Sequence, residues 1–172
     1  MSLTRWLITF IGFPLGGLLA IETVGGVHDA LSGAASGLVA GAVIGAVQGI
    51  ALRPRVSVTG WAIHTALGLS AGLALSGAIT GGDAATGQLV LTGLVSGALM
   101  GLAQAPVLGV SRAAALTWIG AVAGSWSLGW LVTANVIVDA DRGYTVFGAS
   151  GALVATLLTG LVLTRPALRT AS

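Results

Sequence analysis

The chain has no cysteine and no lysine, and only 7% of its 172 residues are charged. Without cysteine there is no disulfide, no thiolate metal ligand and no cysteine nucleophile. Without lysine there is no Schiff-base amine and no phosphate-gripping P-loop lysine. All seven basic side chains are arginines, set singly or in pairs, so no clustered basic patch exists to hold nucleic acid. The pI near 10.5 reflects seven arginines against five acids and marks no such partner. A water-soluble domain carries about 25% charged residues to keep its surface wet. Here apolar residues make up 55% and mean hydropathy is +1.00. The composition predicts that lipid is the solvent.

A bilayer core about 30 Å thick requires about 20 mostly apolar residues per helix. Six windows qualify: 6–21, 31–52, 61–80, 89–108, 113–138 and 146–163. Backbone polar groups cannot go unpaired in hydrocarbon, and the runs lack the polar alternation of a membrane barrel. The expected fold is therefore an all-α membrane protein with six transmembrane helices, a single integral membrane domain over 1–172. Arg5 ahead of an apolar run also fits a signal peptide cut near Ala20, but Leu18 and Ala20 make a poor small-x-small site.

Charge placement agrees with an even number of crossings. Arg5, Arg53, Arg55, Arg112, Arg165 and Arg169 fall on one side of a six-span layout. All five acids (Glu22, Asp29, Asp83, Asp139 and Asp141) fall on the other, with Arg142 alone among them. Arginine excess marks the cytoplasmic side, which predicts a multi-pass cell-membrane protein with both termini cytoplasmic. Trp6, Trp61 and Trp118 lie near the start of spans one, three and five, as an interfacial aromatic belt would.

Internal similarity is visible at a shift of 56 residues. The run from Gly37 to Gln48 (GLVAGAVIGAVQ) recurs from Gly93 to Gln104 (GLVSGALMGLAQ). Gly12, Gly68 and Gly124 keep that spacing, and a degenerate third copy from Gly148 aligns Ala152, Thr156 and Thr159. The expected unit is a two-helix hairpin used three times, approximately 3–55, 59–111 and 115–166. Low-complexity Gly/Ala/Leu/Val sequence imitates repeats, but two glutamines at one offset from three glycines are harder to obtain by chance.

Gly33, Gly37, Gly41 and Gly45 recur every fourth position, and from Gly37 to Leu52 the face containing Gln48 spans about 80° at 100° per residue. Gly93, Gly97, Gly101 and Gln104 form the same pattern in span four. Small residues at this spacing let helix backbones approach closely in lipid, so these faces are expected at helix contacts. Gln48 and Gln104 read first as interhelical hydrogen-bonding groups and second as a polar ring, completed by Thr159, around a solute or ion. Both glutamines lie about one turn from the arginine-bearing end, not at the midplane where transporter sites usually sit.

His64, an intramembrane histidine, is a functional candidate by default, but no second one exists to pair with it. A hydrogen-bonded or interfacial histidine is the plainer reading. Glu22, His28, Asp29, Asp83, Asp139 and Asp141 would suit a hard divalent cation if their loops met. They show no metal-loop spacing, so no metal site is assigned. Pro14 and Pro106 are expected to bend their helices. Trp126 and Trp130, one turn apart, offer an aromatic face for packing, lipid, a partner subunit or a pigment. The sequence names no cofactor.

Nothing pairs a nucleophile with a base, so catalysis is not expected. Repeated hairpins, glycine-lined helices and a few intramembrane polar groups fit a small-solute transporter, channel or substrate-capture subunit. Gly12, Gly16 and Ala20 resemble the small-residue first helix of substrate-capture subunits of energy-coupling-factor vitamin transporters; the likeness covers one span and a common pattern. The alternative is a non-catalytic accessory or scaffold subunit, with a homo-oligomer or a larger membrane complex as the partner state.

Overall fold

A computed structural model describes residues 1–136 and 148–168. Six helices follow one another: α1 (Leu3–Val24), α2 (Ala30–Leu52), α3 (Val58–Thr80), α4 (Thr86–Leu108), α5 (Arg112–Val136) and α6 (Ala149–Leu163). The first five are long and apolar enough to cross a bilayer, and α6 has 15 residues. The expected start of span six and end of span five lie outside the described residues, as do Asp139, Asp141, Arg142, Tyr144 and Arg169. The described residues are consistent with an all-helical, multi-pass membrane protein. Many leucines and isoleucines point outward, among them Leu31 and Leu116 at 79% and 70% exposure, as an apolar solvent allows.

Each helix packs on its neighbours in sequence, and α1 also meets α6, so the helices close a ring. Short connections force the antiparallel order, which gathers Arg5, Arg53, Arg55, Arg112 and Arg165 at one end and Glu22, Asp29 and Asp83 at the other. The ends are built from local chemistry. Gly81 and Gly109 end α3 and α4 in the left-handed conformation, with φ of 60° and 62°. Pro106 lies in the last turn of α4 and accepts the Gly109 N–H at 3.2 Å.

Pro14 has a larger consequence. A proline lacks the N–H that would bond four residues back, and the preceding turn, Ile8–Ile11, is wound as a 3₁₀ segment. Six residues separate Trp6 from Gly12, whereas seven separate Trp61 from Gly68. Four 3₁₀ residues add roughly 2 Å of rise and 80° of turn over α-helix, about the contribution of one α residue. The overwound segment therefore lets Trp6 and Gly12 hold positions matching those of Trp61 and Gly68.

Asp29 caps α2. Its carboxylate accepts the Ser32 N–H at 2.8 Å and the Ser32 hydroxyl at 2.7 Å, while Ser32 Oγ accepts the Asp29 N–H at 3.0 Å. The bonds from the Ser32 backbone and then its side chain hold the Asp29 carboxyl below its ordinary 3.8. Because the folded value is depressed, the cap stabilises above pH 3.8 and its contribution is lost as pH falls through the lowered value. Asp29→Ala is expected to lower Tm in detergent at neutral pH, with Asp29→Asn in between. The gap to wild type should close in acid; melting curves showing a constant gap would contradict the cap.

Candidate functional site

The glycine rows place helix backbones in contact. A Cβ added at Gly37 would lie 2.6 Å from the Leu69 carbonyl oxygen, and one at Gly41 would lie 2.6 Å from the Ala66 Cα. One at Gly45 would lie 2.7 Å from the Ala62 Cα, and Gly33 sits as tightly on Leu73. These four face α3. In α4, a Cβ added at Gly93 would lie 2.6 Å from the Trp126 carbonyl oxygen, one at Gly97 2.7 Å from the Val122 carbonyl oxygen, and one at Gly101 3.0 Å from the Ile119 Cα, all in α5. Contacts between successive odd and even helices use other glycines. Gly12 approaches Ile44 and Val47, and Gly68 approaches Met100 and Ala103, each partner shifted by 56 residues.

Gly124 departs from the expected spacing. An added Cβ there meets nothing within 4 Å. One residue further on, Ser125 is buried, and Gly129 and Thr133 hold the close contact with Gly151. In α5, then, it is the residues 57 beyond Gly68 and Gly72 that turn inward, in keeping with Trp118 standing 57 beyond Trp61.

Toward the arginine-bearing end these contacts bring three indoles onto three polar side chains. Trp61 Nε1 donates to Gln48 Oε1 at 3.2 Å, and Trp118 Nε1 donates to Gln104 Oε1 at 3.2 Å. Trp6 Nε1 donates to Thr159 Oγ1 at 3.1 Å, joining the last helix to the first. Each indole comes from an odd helix and each acceptor from the even helix beside it. The indoles are buried, at 1%, 0% and 1% exposure for Trp6, Trp61 and Trp118. The expected interfacial belt is therefore overturned: these rings point inward because their N–H groups find amide and hydroxyl acceptors there and not at the lipid surface. Trp61 and Trp118 also meet each other, with centroids 6.2 Å apart.

Gln104 uses both ends of its amide, since Nε2 donates to Thr65 Oγ1 at 2.9 Å. Thr65 in turn donates to the Trp61 carbonyl at 2.7 Å. Sequence reasoning missed Thr65; the available signal was a hydroxyl one turn beyond Trp61. Gln48, Gln104 and Thr159 line one small interior cavity with Trp6, Phe13, Met100, Trp118, Val122, Trp126 and Ala155. It offers the centre of a water molecule about 10 Å³, roughly one water. Phe13 and Trp126 wall it, their rings 5.8 Å apart. Trp126 and Trp130 are thus interior side chains, at 1% and 2% exposure, and the lipid-facing alternative for them falls.

His64 stands apart from this cavity. It is half-buried, and its Nδ1 lies 2.8 Å from the Gly60 carbonyl of its own helix. At the acid-bearing end a second cavity, about 30 Å³ on the same measure, lies against Ser76, Thr80, Asp83, Thr92 and Trp130. Ser76 and Ser96 hydroxyls approach to 3.5 Å beside it. Ser36 Oγ and Thr133 Oγ1 are buried without a hydrogen-bond partner among the described residues. Among those residues no three His, Cys, Asp or Glu side chains gather as a metal would require. The chain matches no known family model and no curated protein in sequence, and no solved structure matches its fold.

Proposed function

We propose that the protein is a six-span membrane protein that binds and passes a small neutral solute of about the size of water through the centre of its helix ring, in the general class of channels and small-solute transporters. The carrying observation is the convergence of Gln48, Gln104 and Thr159 on a water-sized interior cavity, where Trp6 and Trp118, which donate to Thr159 and Gln104, also form part of the wall. An otherwise apolar pocket with a few converging polar groups is the usual form of a small-ligand site. Neutrality of the solute follows from the lining, which holds amides, hydroxyls and indoles but no acid, arginine or histidine. The second cavity, near Ser76, Thr80, Asp83 and Thr92, supplies further hydrogen-bonding groups at the acid-bearing end, so the neutrality of the solute rests on the Gln48–Gln104–Thr159 cavity alone. In this reading the chain is three related hairpins about a pseudo-threefold axis, with both termini cytoplasmic. The matched Trp-to-polar bonds and 56-residue contact offsets support the first part, and the segregated arginines the second.

A second reading is a non-catalytic accessory subunit. It draws on Gly120 and Gly124, whose open surroundings leave a small-residue surface on α5 for another helix.

Stopped-flow swelling of proteoliposomes separates the two. Water should cross faster than in protein-free vesicles, and the Gln48→Leu/Gln104→Leu pair should abolish the gain. Permeability equal to that of empty vesicles, with the protein shown to be folded and inserted, would overturn the proposal.

A further inference from the structure

We infer that the arginine-bearing end of α1 and α2 carries a binding groove for an anionic phospholipid. On the outer surface of the ring an open groove of about 220 Å³ runs between these helices, lined by Arg5, Ile8, Thr9, Val47, Ile50 and Ala51. It is far larger than either cavity described above, and all but two of its lining side chains are aliphatic. Ile8 and Ile50 are 64% and 57% exposed, so an acyl chain reaches it directly from the bilayer. Its position follows from the fold: Ile8 and Thr9 belong to the 3₁₀ segment, the slimmer part of α1, where the helix leaves a shallow concavity beside α2.

The charge at the head of the groove selects the lipid class. Arg5 donates to the carbonyls of Ile50 at 2.8 Å and Arg53 at 3.2 Å, which fixes its guanidinium over the end of α2. Those bonds use two of its five N–H donors and leave the others for a phosphate. Arg53, next to the same carbonyl cluster, is exposed and adds a second guanidinium at that level. The described acids, Glu22, Asp29 and Asp83, lie at the opposite end of the bundle, so none of them neutralises this pair. An apolar chain below and two cations at the headgroup level complement one molecule, a phospholipid with net negative charge. Free phosphate satisfies the cations and leaves the groove unfilled.

Native mass spectrometry of the full chain tests this, using dioleoyl phosphatidylglycerol and dioleoyl phosphatidylcholine at equal concentration. One phosphatidylglycerol should stay bound preferentially, and Arg53→Gln should lower its occupancy about fivefold, the factor expected for one arginine near an anionic headgroup. Arg5→Gln should do at least as much, with Arg5→Lys recovering part. Ile50→Trp, which fills the groove from an exposed position, should reduce retention with Tm in detergent unchanged. Equal retention of the two lipids, indifference to Arg53→Gln, or equal stabilisation by inorganic phosphate would overturn the inference. The assay involves no flux, so its outcome is independent of the proposed passage of solute.

Discussion

Gly41→Leu is expected to prevent α2 from seating on α3 and to cost the protein most of its folded population in mild detergent. A single added Cβ would already stand 2.6 Å from the Ala66 Cα and 2.9 Å from the Thr65 carbonyl oxygen. Both are backbone atoms of a packed helix, so they cannot swing aside as a side-chain tip would. Overpacking a core position costs about 1–3 kcal/mol, and here the helices must separate along their length, which puts the loss at the upper end or beyond. Separation also withdraws Trp61 from Gln48, thirteen residues apart in sequence and joined only while the helices touch. Gly124→Leu is the matched control. It makes the same chemical change in a helix where nothing lies within 4 Å, and stability should move by no more than about 0.5 kcal/mol. Fluorescence-detected size exclusion after a heating series gives both answers. Equal survival of Gly41→Leu and Gly124→Leu would remove the backbone-contact account of the fold.

Gln104→Leu should have the next largest effect. The amide joins three helices: it accepts from Trp118 on α5 and donates to Thr65 on α3 while anchored on α4. Leucine is close in volume, so the change removes two hydrogen bonds more than it disturbs packing. Interhelical hydrogen bonds in membranes average about 0.6 kcal/mol and reach about 1.7. Leaving the Trp118 N–H, buried at 1% exposure, without its protein acceptor adds a desolvation cost. A total near 2 kcal/mol is expected. Trp118→Phe removes the donor but also part of a buried ring that packs on Trp61, so it keeps a packing cost in the Gln104→Leu background, smaller than its cost in the wild type by the energy of the bond. A double-mutant cycle whose coupling is zero within error would show that the 3.2 Å contact contributes no stability.

The same bonds separate two meanings of a polar residue in a membrane helix. Gln104 has both amide ends occupied by protein groups, which fits interhelical fastening. The cavity at its side is the size of one water, so a passing solute would exchange with hydrogen bonds that the ring already makes. Fastening and passage are compatible if the indoles act as the movable partners, since an indole N–H bond broken on one side leaves the glutamine carbonyl free to accept from a solute.

Helical class and helix positions were legible from composition and from turn residues. The expected ends at positions 52, 80 and 108 agree with Leu52, Thr80 and Leu108, because Arg53-Pro54, Gly81-Gly82 and Gly109 stop a helix whatever surrounds it. Starts at Val58 and Thr86 precede the expected ones by three residues, since a first helical turn can be polar and hydropathy does not register it. The glycine rows were visible as a periodicity; in the structure Gly37, Gly41 and Gly45 approach α3, and Gln48 accepts from Trp61 on that helix.

What the sequence determined by itself was the solvent, the helices, their stops and which faces are smooth enough to touch, all of which depend on residues within a turn or two of one another. The tertiary structure alone decided which neighbour each face meets, that Ser125 and not Gly124 turns inward, and that the tryptophans near the helix ends point into the ring. An indole satisfies the same local rules at a lipid interface or against a buried glutamine. The choice rests on whether an acceptor from another helix, 153 residues away for Trp6 and Thr159, arrives within hydrogen-bonding distance.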